Sequence, residues 1–310
     1  MAAPDVDLQT SLRPSAPELP DPPDRLRLGH RTFPRTQPLV MAIVNRTRDS
    51  FYDAGATFDL GPALERVAAV AADGADIVDI GGVKAGPGDV VDEAEEIRRV
   101  TGMVAAVRAS HPELVVSVDT WRSSVAREAC RAGADLLNDV WAGHDPELAG
   151  VAAEFDVALV CAHTGGLAPR TGPFRTGYDD LLGDVVGGVV GLARTALAAG
   201  VASDSIVLDP AHDFGKNTWQ SLEVTRRLDE LTGLGWPVLV SVSNKDFVGE
   251  TLDLPLDQRR EGTLAATAVC AWHGAQIHRV HDVAGTRRVV DFVAAVRGDQ
   301  PPARTVRGLA

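Results

Sequence analysis

Apolar residues in this chain fall into short runs that alternate with longer segments of helical periodicity, from about residue 38 to residue 298. The runs are PLVMAIV (38–44), DIVDI (76–80), LVVSVD (114–119), DLLND (135–139), VALVC (157–161), SIVLD (205–209), PVLVSVS (237–243) and QIHRV (276–280). Each is rich in Val, Ile and Leu and bounded by Gly or polar residues, the pattern of strands buried on both faces. Between them lie helical segments such as PALERVAAVAADG and RSSVAREACRAG. Gly74-Ala75, Gly133-Ala134 and Gly274-Ala275 each lead into a run. A glycine there suits the left-handed residue that closes a helix before a short turn. Repeated strand–helix units favour a parallel sheet with right-handed crossovers. Eight of them predict an α/β chain folded as a single (β/α)8 TIM barrel, over residues 38–300. The alternative is a doubly wound open sheet, which carries a Gly-rich phosphate turn after its first strand. Here the first run ends instead in Asn45-Arg46-Thr47-Arg48-Asp49-Ser50-Phe51.

Residues 1–37 are rich in Pro and Asp and lack apolar periodicity, so they read as a flexible N-terminal tail, and residues 301–310 as a C-terminal tail. The first residues lack the basic-then-apolar layout of a secretory signal. No run approaches the roughly 18 apolar residues of a membrane span. The formal charge of −13 argues against nucleic acid or an anionic membrane as the main partner. Cys130, Cys161 and Cys270 are isolated, fitting buried small hydrophobes in a reducing cytoplasm. Lysine is scarce: Lys84, Lys216 and Lys245 each follow an apolar run, and the other basic residues are arginine. A lysine kept in such a background points to a place that needs a compact ammonium.

In a barrel of this kind the reactive groups lie at the C-terminal ends of the strands. Those ends carry Asn45, Asp79, Asp119, Asn138 with Asp139, His163, Asp209, Ser243 with Lys245, and Arg279 with His281. Asp139 and Ser243 taken alone read equally well as caps of the next helix. Asp79, Asp119, Asn138, Asp209 and Lys245 together offer several acceptors and one ammonium, which suits a heterocycle with amino and ring N–H donors and a carbonyl. Asn45, Arg279 and His281 come from the first and last strands, neighbours in a closed barrel, and form a cationic and amide corner suited to phosphate oxygens. The two halves imply a ring joined to an anionic group.

The stretches MAIVNRTRDSFYDAG, DGADIVDIGG, VSVDT, AGADLLNDV, LDPAHDFGK, SNKDFVG and HRVHDV, in this order from about 40 to 283, resemble the dihydropteroate synthase family of folate biosynthesis. The resemblance implies a (β/α)8 barrel, a homodimer, and the joining of 6-hydroxymethyl-7,8-dihydropterin diphosphate to p-aminobenzoate with release of pyrophosphate. It implies pterin held by Asp79, Asp119, Asn138, Asp209, Phe214 and Lys245. Pyrophosphate would lie near Asn45, Arg279 and His281, with Mg²⁺ on Asn45. The catalytic set it implies is Asp119, Asp209, Lys245, Arg279 and His281. The carboxylates would stabilise a pterin-centred cation, and the cationic groups the departing anion.

Departures from the family pattern gather on the side of the second substrate. Where the family has a Ser/Thr-Arg-Pro-Gly loop, this chain has Lys84-Ala85-Gly86-Pro87-Gly88, with Ala85 and Gly86 at the hydroxyl and arginine positions. Lys84 cannot make arginine's planar two-point contact. Where the family has Ser-Arg-Lys followed by Ser or Arg, this chain has Ser243-Asn244-Lys245-Asp246. Asp246 would face an incoming carboxylate with like charge. At about 4 Å and an effective dielectric near 20 the repulsion is on the order of 4 kcal/mol. His212 and Asp213 add bulk and charge in a run that is glycine-rich in the family. These changes resemble a divergent second-copy subfamily known in actinobacteria, in which pathway activity is expected to be weak or absent. Alternatives are a synthase of ordinary activity with cosmetic loop changes, a pterin-sensing or partner subunit without turnover, and an aldolase-like barrel using Lys245 as a Schiff-base lysine.

Overall fold

A computed structural model describes residues 19–46, 58–171 and 177–308. The first half of the expected tail (1–18), most of the loop after the first run (47–57) and residues 309–310 lie outside the described residues. The strands are β1 (Arg25–Leu28), β2 (Arg31–Pro34), β3 (Leu39–Asn45), β4 (Ile77–Gly81), β5 (Val115–Asp119), β6 (Leu136–Asp139), β7 (Ala158–Ala162), β8 (Ile206–Asp209), β9 (Leu239–Val240) and β10 (Ile277–Val280). The helices are α1 (Leu60–Ala72), α2 (Glu93–Ser110), α3 (Ser123–Ala132), α4 (Leu148–Glu154), α5 (Leu181–Ala199), α6 (Thr218–Arg226), α7 (Leu228–Thr232), α8 (Asp246–Leu252), α9 (Arg260–Trp272) and α10 (Val283–Arg297). Strands β3 to β10 form one parallel sheet in the order β8-β7-β6-β5-β4-β3-β10-β9. A further parallel bridge, Leu208 to Val238, joins its two ends and closes the barrel.

The uniformly apolar strands split into two packing layers by their period of two. Leu39, Met41, Ile77, Val115, Leu136 and Ile277 fill the barrel interior. The residues between them, Val40, Ala42, Val78, Val116 and Val118, pack outward on Val67, Val70, Val100, Val104 and Val290 of the helices. Full burial of such a side chain contributes about 1.5–3 kcal/mol, and the few polar residues within these strands before their C-terminal ends, Asp79, Ser117 and His278, are themselves buried. The Gly-Ala phrases act as expected. Gly74, Gly133 and Gly274 have φ of 95°, 110° and 96°, and the next amides reach back to Val70, Ala129 and Cys270 carbonyls.

Two expectations are corrected. Residues 25–34 are not tail but an antiparallel hairpin, β1–β2, whose Leu26, Leu28 and Phe33 pack inside the barrel against Leu39 and Met41 and close its floor. The alternation Arg-Leu-Arg-Leu carries this signal, but its short length and Pro-rich flank hide it. The absence of a long apolar segment also fails. Helix α5 has the length and composition to cross a membrane. It is instead an outer helix of the barrel, with Val185, Val189, Ala193 and Ala196 buried on the core and Asp184 hydrogen-bonded to His163. The C-terminal residues 301–308 have no regular structure and are exposed.

Candidate functional site

Strand register builds the site. Asn45 pairs with Gly81, Gly81 with Asp119, and Asp119 with Asn138, so four neighbouring strand ends form one row at the C-terminal mouth. Gly81 packs closely there, and a Cβ would stand 3.3 Å from the Asn45 side-chain oxygen. Above the row lies a cavity of about 420 Å³. Its wall includes Asn45, Asp119, Asn138, Asp209, Phe214, Lys245, Arg279 and His281, and its outer side includes Lys84, Ala85, Gly86, Asp213, Asn244 and Asp246.

Asp79 does not line that cavity. It pairs with Ser117 one layer below the row and is fully buried. Ser117 Oγ donates to its Oδ1 at 2.6 Å, while Asn138 Nδ2 and Arg279 Nε donate to Oδ2 at 3.1 and 2.6 Å. Asp79 therefore orients Asn138 and Arg279 from beneath. Arg279 is likewise not confined to a cationic corner, because its Nη2 donates to Asp119 at 2.8 Å. The guanidinium is held by two carboxylates of the acceptor half. Burial, reinforced by the Asp79 charge and opposed by Arg279, pushes the Asp119 carboxyl up to about 7. Burial also pushes Asp209 up, opposed by Lys245 and by the Ala211 N–H at 2.7 Å. Burial lowers Lys245 to about 8, opposed by Asp213 and Asp209. The Lys245 ammonium donates to the His212 carbonyl and lies 4.8 Å from the Phe214 ring centroid. Trp141 meets Phe214 edge-on at 5.4 Å. The wall thus combines acceptors, one ammonium and an aromatic edge.

The loop after β8 is held by an unusual anchor. Ala211, Asp213 and Gly215 have φ of 49°, 65° and 63°, a coiled path that two side-chain-bearing residues adopt at a cost. Lys216 is fully buried beneath it. Its Nζ donates to the carbonyls of Phe214, His163 and Ala211 at 3.0, 3.1 and 3.3 Å and meets His163 Nδ1 at 3.0 Å. Burial lowers this ammonium to about 7. His163 is spent on that anchor and on Asp184 rather than on the mouth. The path also takes His212 out of the cavity lining, whereas Asp213 stays at its edge with its carboxylate tied down. His212 is buried and stacks on Phe247 with ring centroids 5.7 Å apart, and the Asp213 carboxylate accepts from Ser221 Oγ at 2.8 Å and Phe247 N at 3.2 Å. Asp139 only caps its turn, accepting from Trp141 N and Gly143 N. Ser243 instead positions His281, with Oγ 2.9 Å from Nδ1.

On the second-substrate side, Asp246 is not a bare charge. Arg259 Nη1 donates to Asp246 Oδ1 and to the Asn244 carbonyl, both at 2.9 Å, and Nε to the Leu254 carbonyl at 3.3 Å. Asp246 is 66% exposed. Pairing and solvent together reduce the expected like-charge repulsion well below the value for a bare pair. Trp141, Arg259 and the Lys216 anchor escape the sequence reading. Trp141 lies beyond the strand end that drew attention to Asn138, Arg259 stands just before α9 with no motif of its own, and the lysine signal marked Lys216 without telling which partners it meets.

Residues 41–281 match the pterin-binding enzyme family, and the chain belongs to that family. Within it, the chain is 55% identical over 276 residues to the inactive dihydropteroate synthase 2 of Mycobacterium tuberculosis, covering 88% of this chain and 87% of that protein. It is 40% identical over 260 residues to the dihydropteroate synthase of Bacillus subtilis, covering 83% and 88%. The fold superposes on the Yersinia pestis dihydropteroate synthase bound to a sulfonamide drug with a TM-score of 0.83 and 34% identity, over 89% of this chain and all of that one. It also superposes on the Coxiella burnetii enzyme in complex with pteroic acid, with a TM-score of 0.80 and 29% identity, over 89% and 99%.

Proposed function

We propose that this protein binds a pterin, and a pterin diphosphate more tightly, while joining it to p-aminobenzoate weakly or not at all. One observation carries the reading: Asp119, Asn138, Asp209 and Lys245 share one cavity wall with Arg279, His281 and Asn45. The ring's amino and N–H donors would meet Asp119, Asp209 and the Asn138 amide oxygen, and its carbonyl would meet Lys245. As those donors take over Asp119, the outer nitrogen of Arg279 becomes available to a phosphate oxygen beside His281.

Mg²⁺ fits Asn45 as a single hard oxygen ligand. Among the described residues no cluster of three metal-binding side chains exists, so the ion would arrive with the diphosphate, in keeping with magnesium's habit of holding few protein ligands. When bound, it would neutralise charge on the leaving group. The reading extends to a homodimer, supported by the exposed Trp272 and Phe292 on adjacent helices α9 and α10, and to the cytoplasm, supported by buried unpaired cysteines.

The inactive side of the reading rests on the second-substrate wall, where Gly86 replaces a guanidinium and Asp246 holds Arg259. Calorimetry with 6-hydroxymethyl-7,8-dihydropterin diphosphate and Mg²⁺ tests the binding, with saturable heat expected. Steady pyrophosphate release on adding p-aminobenzoate, at about 1 s⁻¹ or faster, would refute the loss of activity.

A further inference from the structure

The geometry points to a second ligand that is not an acid: we infer that the outer wall of this cavity takes an aromatic amine whose far end is neutral or cationic. The inference rests on the pterin reading above and names the chemistry of that ligand's partner. Arg259 is the guanidinium on this part of the wall, and it is only 14% exposed. Its Nη1 and Nε donors are already engaged by this chain's own acceptors, Asp246 Oδ1 and the Asn244 carbonyl on Nη1 and the Leu254 carbonyl on Nε, which leaves Nη2 alone and breaks up the two-point fork. Asp246 thus occupies Arg259 much as a ligand's carboxylate would, from within the protein. Its other oxygen, Oδ2, accepts no hydrogen bond from the described residues and stays open to solvent.

The remaining cations do not replace that fork. Lys245 is turned inward to the His212 carbonyl and the Phe214 ring. Lys84 lies across the mouth on a loop whose next residues, Ala85 and Gly86, provide no side-chain donor. Among the described residues of this outer wall a carboxylate would meet one flexible ammonium and no open planar fork, since the Arg279 guanidinium on the floor is paired with Asp79 and Asp119. An amide N–H₂ or an amidinium would instead find Asp246 Oδ2, an acceptor that gives a charge-assisted bond. Leu256 and Trp141 supply apolar wall for the ring between.

The test uses the full chain and calorimetry in two stages. Pterin diphosphate with Mg²⁺ is titrated first. Failure there overturns the pterin reading and is seen before any amine is added. The saturated protein is then titrated with p-aminobenzoate, 4-aminobenzamide and 4-aminobenzamidine. The expected order places the amidine first and the benzoate last, with the amidine roughly tenfold or more tighter than the benzoate, equivalent to about 1.4 kcal/mol. Asp246→Ser should erase or reverse that order, and Asp246→Asn should bring the amidine down to the level of the amide. Benzoate binding as tight as the amidine, no heat from either the amide or the amidine, or an order unchanged in both variants would overturn the inference.

Discussion

Replacing Arg279 by Met isolates the charge arrangement at the floor of the cavity. The guanidinium makes two ion pairs, at 2.6 Å to Asp79 and 2.8 Å to Asp119, and both pairs are largely withdrawn from solvent. Methionine keeps much of the volume but leaves two carboxylates close together without a counter-ion. Breaking one side of a buried ion pair costs about 3–5 kcal/mol. For a chain of this size the unfolding entropy is about 0.6 kcal/mol per degree, from ~2.1 cal/mol/K per residue, so the melting temperature should fall by about 5–8 °C. The loss has a pH signature. Asp119 already lies up at about 7 with Arg279 present, above the ordinary carboxylate value, and the variant raises it further. A carboxyl raised in the folded state binds more protons there than in the unfolded chain, so stability is lost as pH rises through its folded value. The deficit relative to wild type should therefore be larger at pH 8.5 than at pH 6. Thermal unfolding followed by circular dichroism at both pH values measures it, with urea unfolding as the check where heating is irreversible. A deficit below about 2 °C at both pH values, against the several degrees that the lost pairs imply, would refute the reasoning, as would one that grows toward acid.

Other outcomes follow from features elsewhere in the barrel. Lys216→Met removes the donor shared by three loop carbonyls, and pterin affinity should fall about tenfold or more, equivalent to ~1.4 kcal/mol, in a calorimetric titration; unchanged affinity would show that the loop holds its path alone. His278 is buried and its imidazole is lowered to about 4. Its folded value lies below the unfolded one near 6.5, so its contribution is intact above that value and is lost as pH falls toward 4. Between pH 6.5 and 4.5 the effect is about 2 kcal/mol, read as the difference in urea stability between wild type and His278→Leu at the two pH values, which cancels the opposite trend of raised carboxyls such as Asp139. Phe33→Ala should cost about 3–5 kcal/mol in urea unfolding if the hairpin is part of the core, and under ~0.5 kcal/mol, the usual effect of a surface substitution, if it merely lies on the surface.

The barrel is legible because its strands are buried on both faces and need continuous Val, Ile and Leu, while each helix ends in a Gly-Ala phrase with one geometric meaning. The row Asn45, Asp119 and Asn138 is legible for the same reason: a polar residue at the end of an apolar run has only the mouth to enter. What fails to show is set by side-chain reach and by contacts between distant segments. Asp79 stands two residues short of its strand end, enough to sink it one layer below the cavity. Arg279 starts lower still, opposite Met41, yet its long side chain climbs to Asp119. Asp246 reads as a repelling charge until Arg259, folded back from the turn between α8 and α9, is placed against it. His212 reads as an obstruction until the positive-φ turn swings it onto Phe247.

The β1–β2 hairpin has a consequence for how the molecule can be trimmed. Arg27 holds Asp156 and Asp204, Arg31 holds the Glu113 carbonyl at 2.6 Å, and Gln276 binds the Pro34 carbonyl at 2.9 Å, so this short ribbon is laced to the rear openings of strands far apart around the circle. A protein begun at Leu39 would be a pipe rather than a cup, with water admitted from behind to Leu39, Met41 and Ile277, and the ring of charges at the front would lose the dry backing that makes its acids and amines unusual.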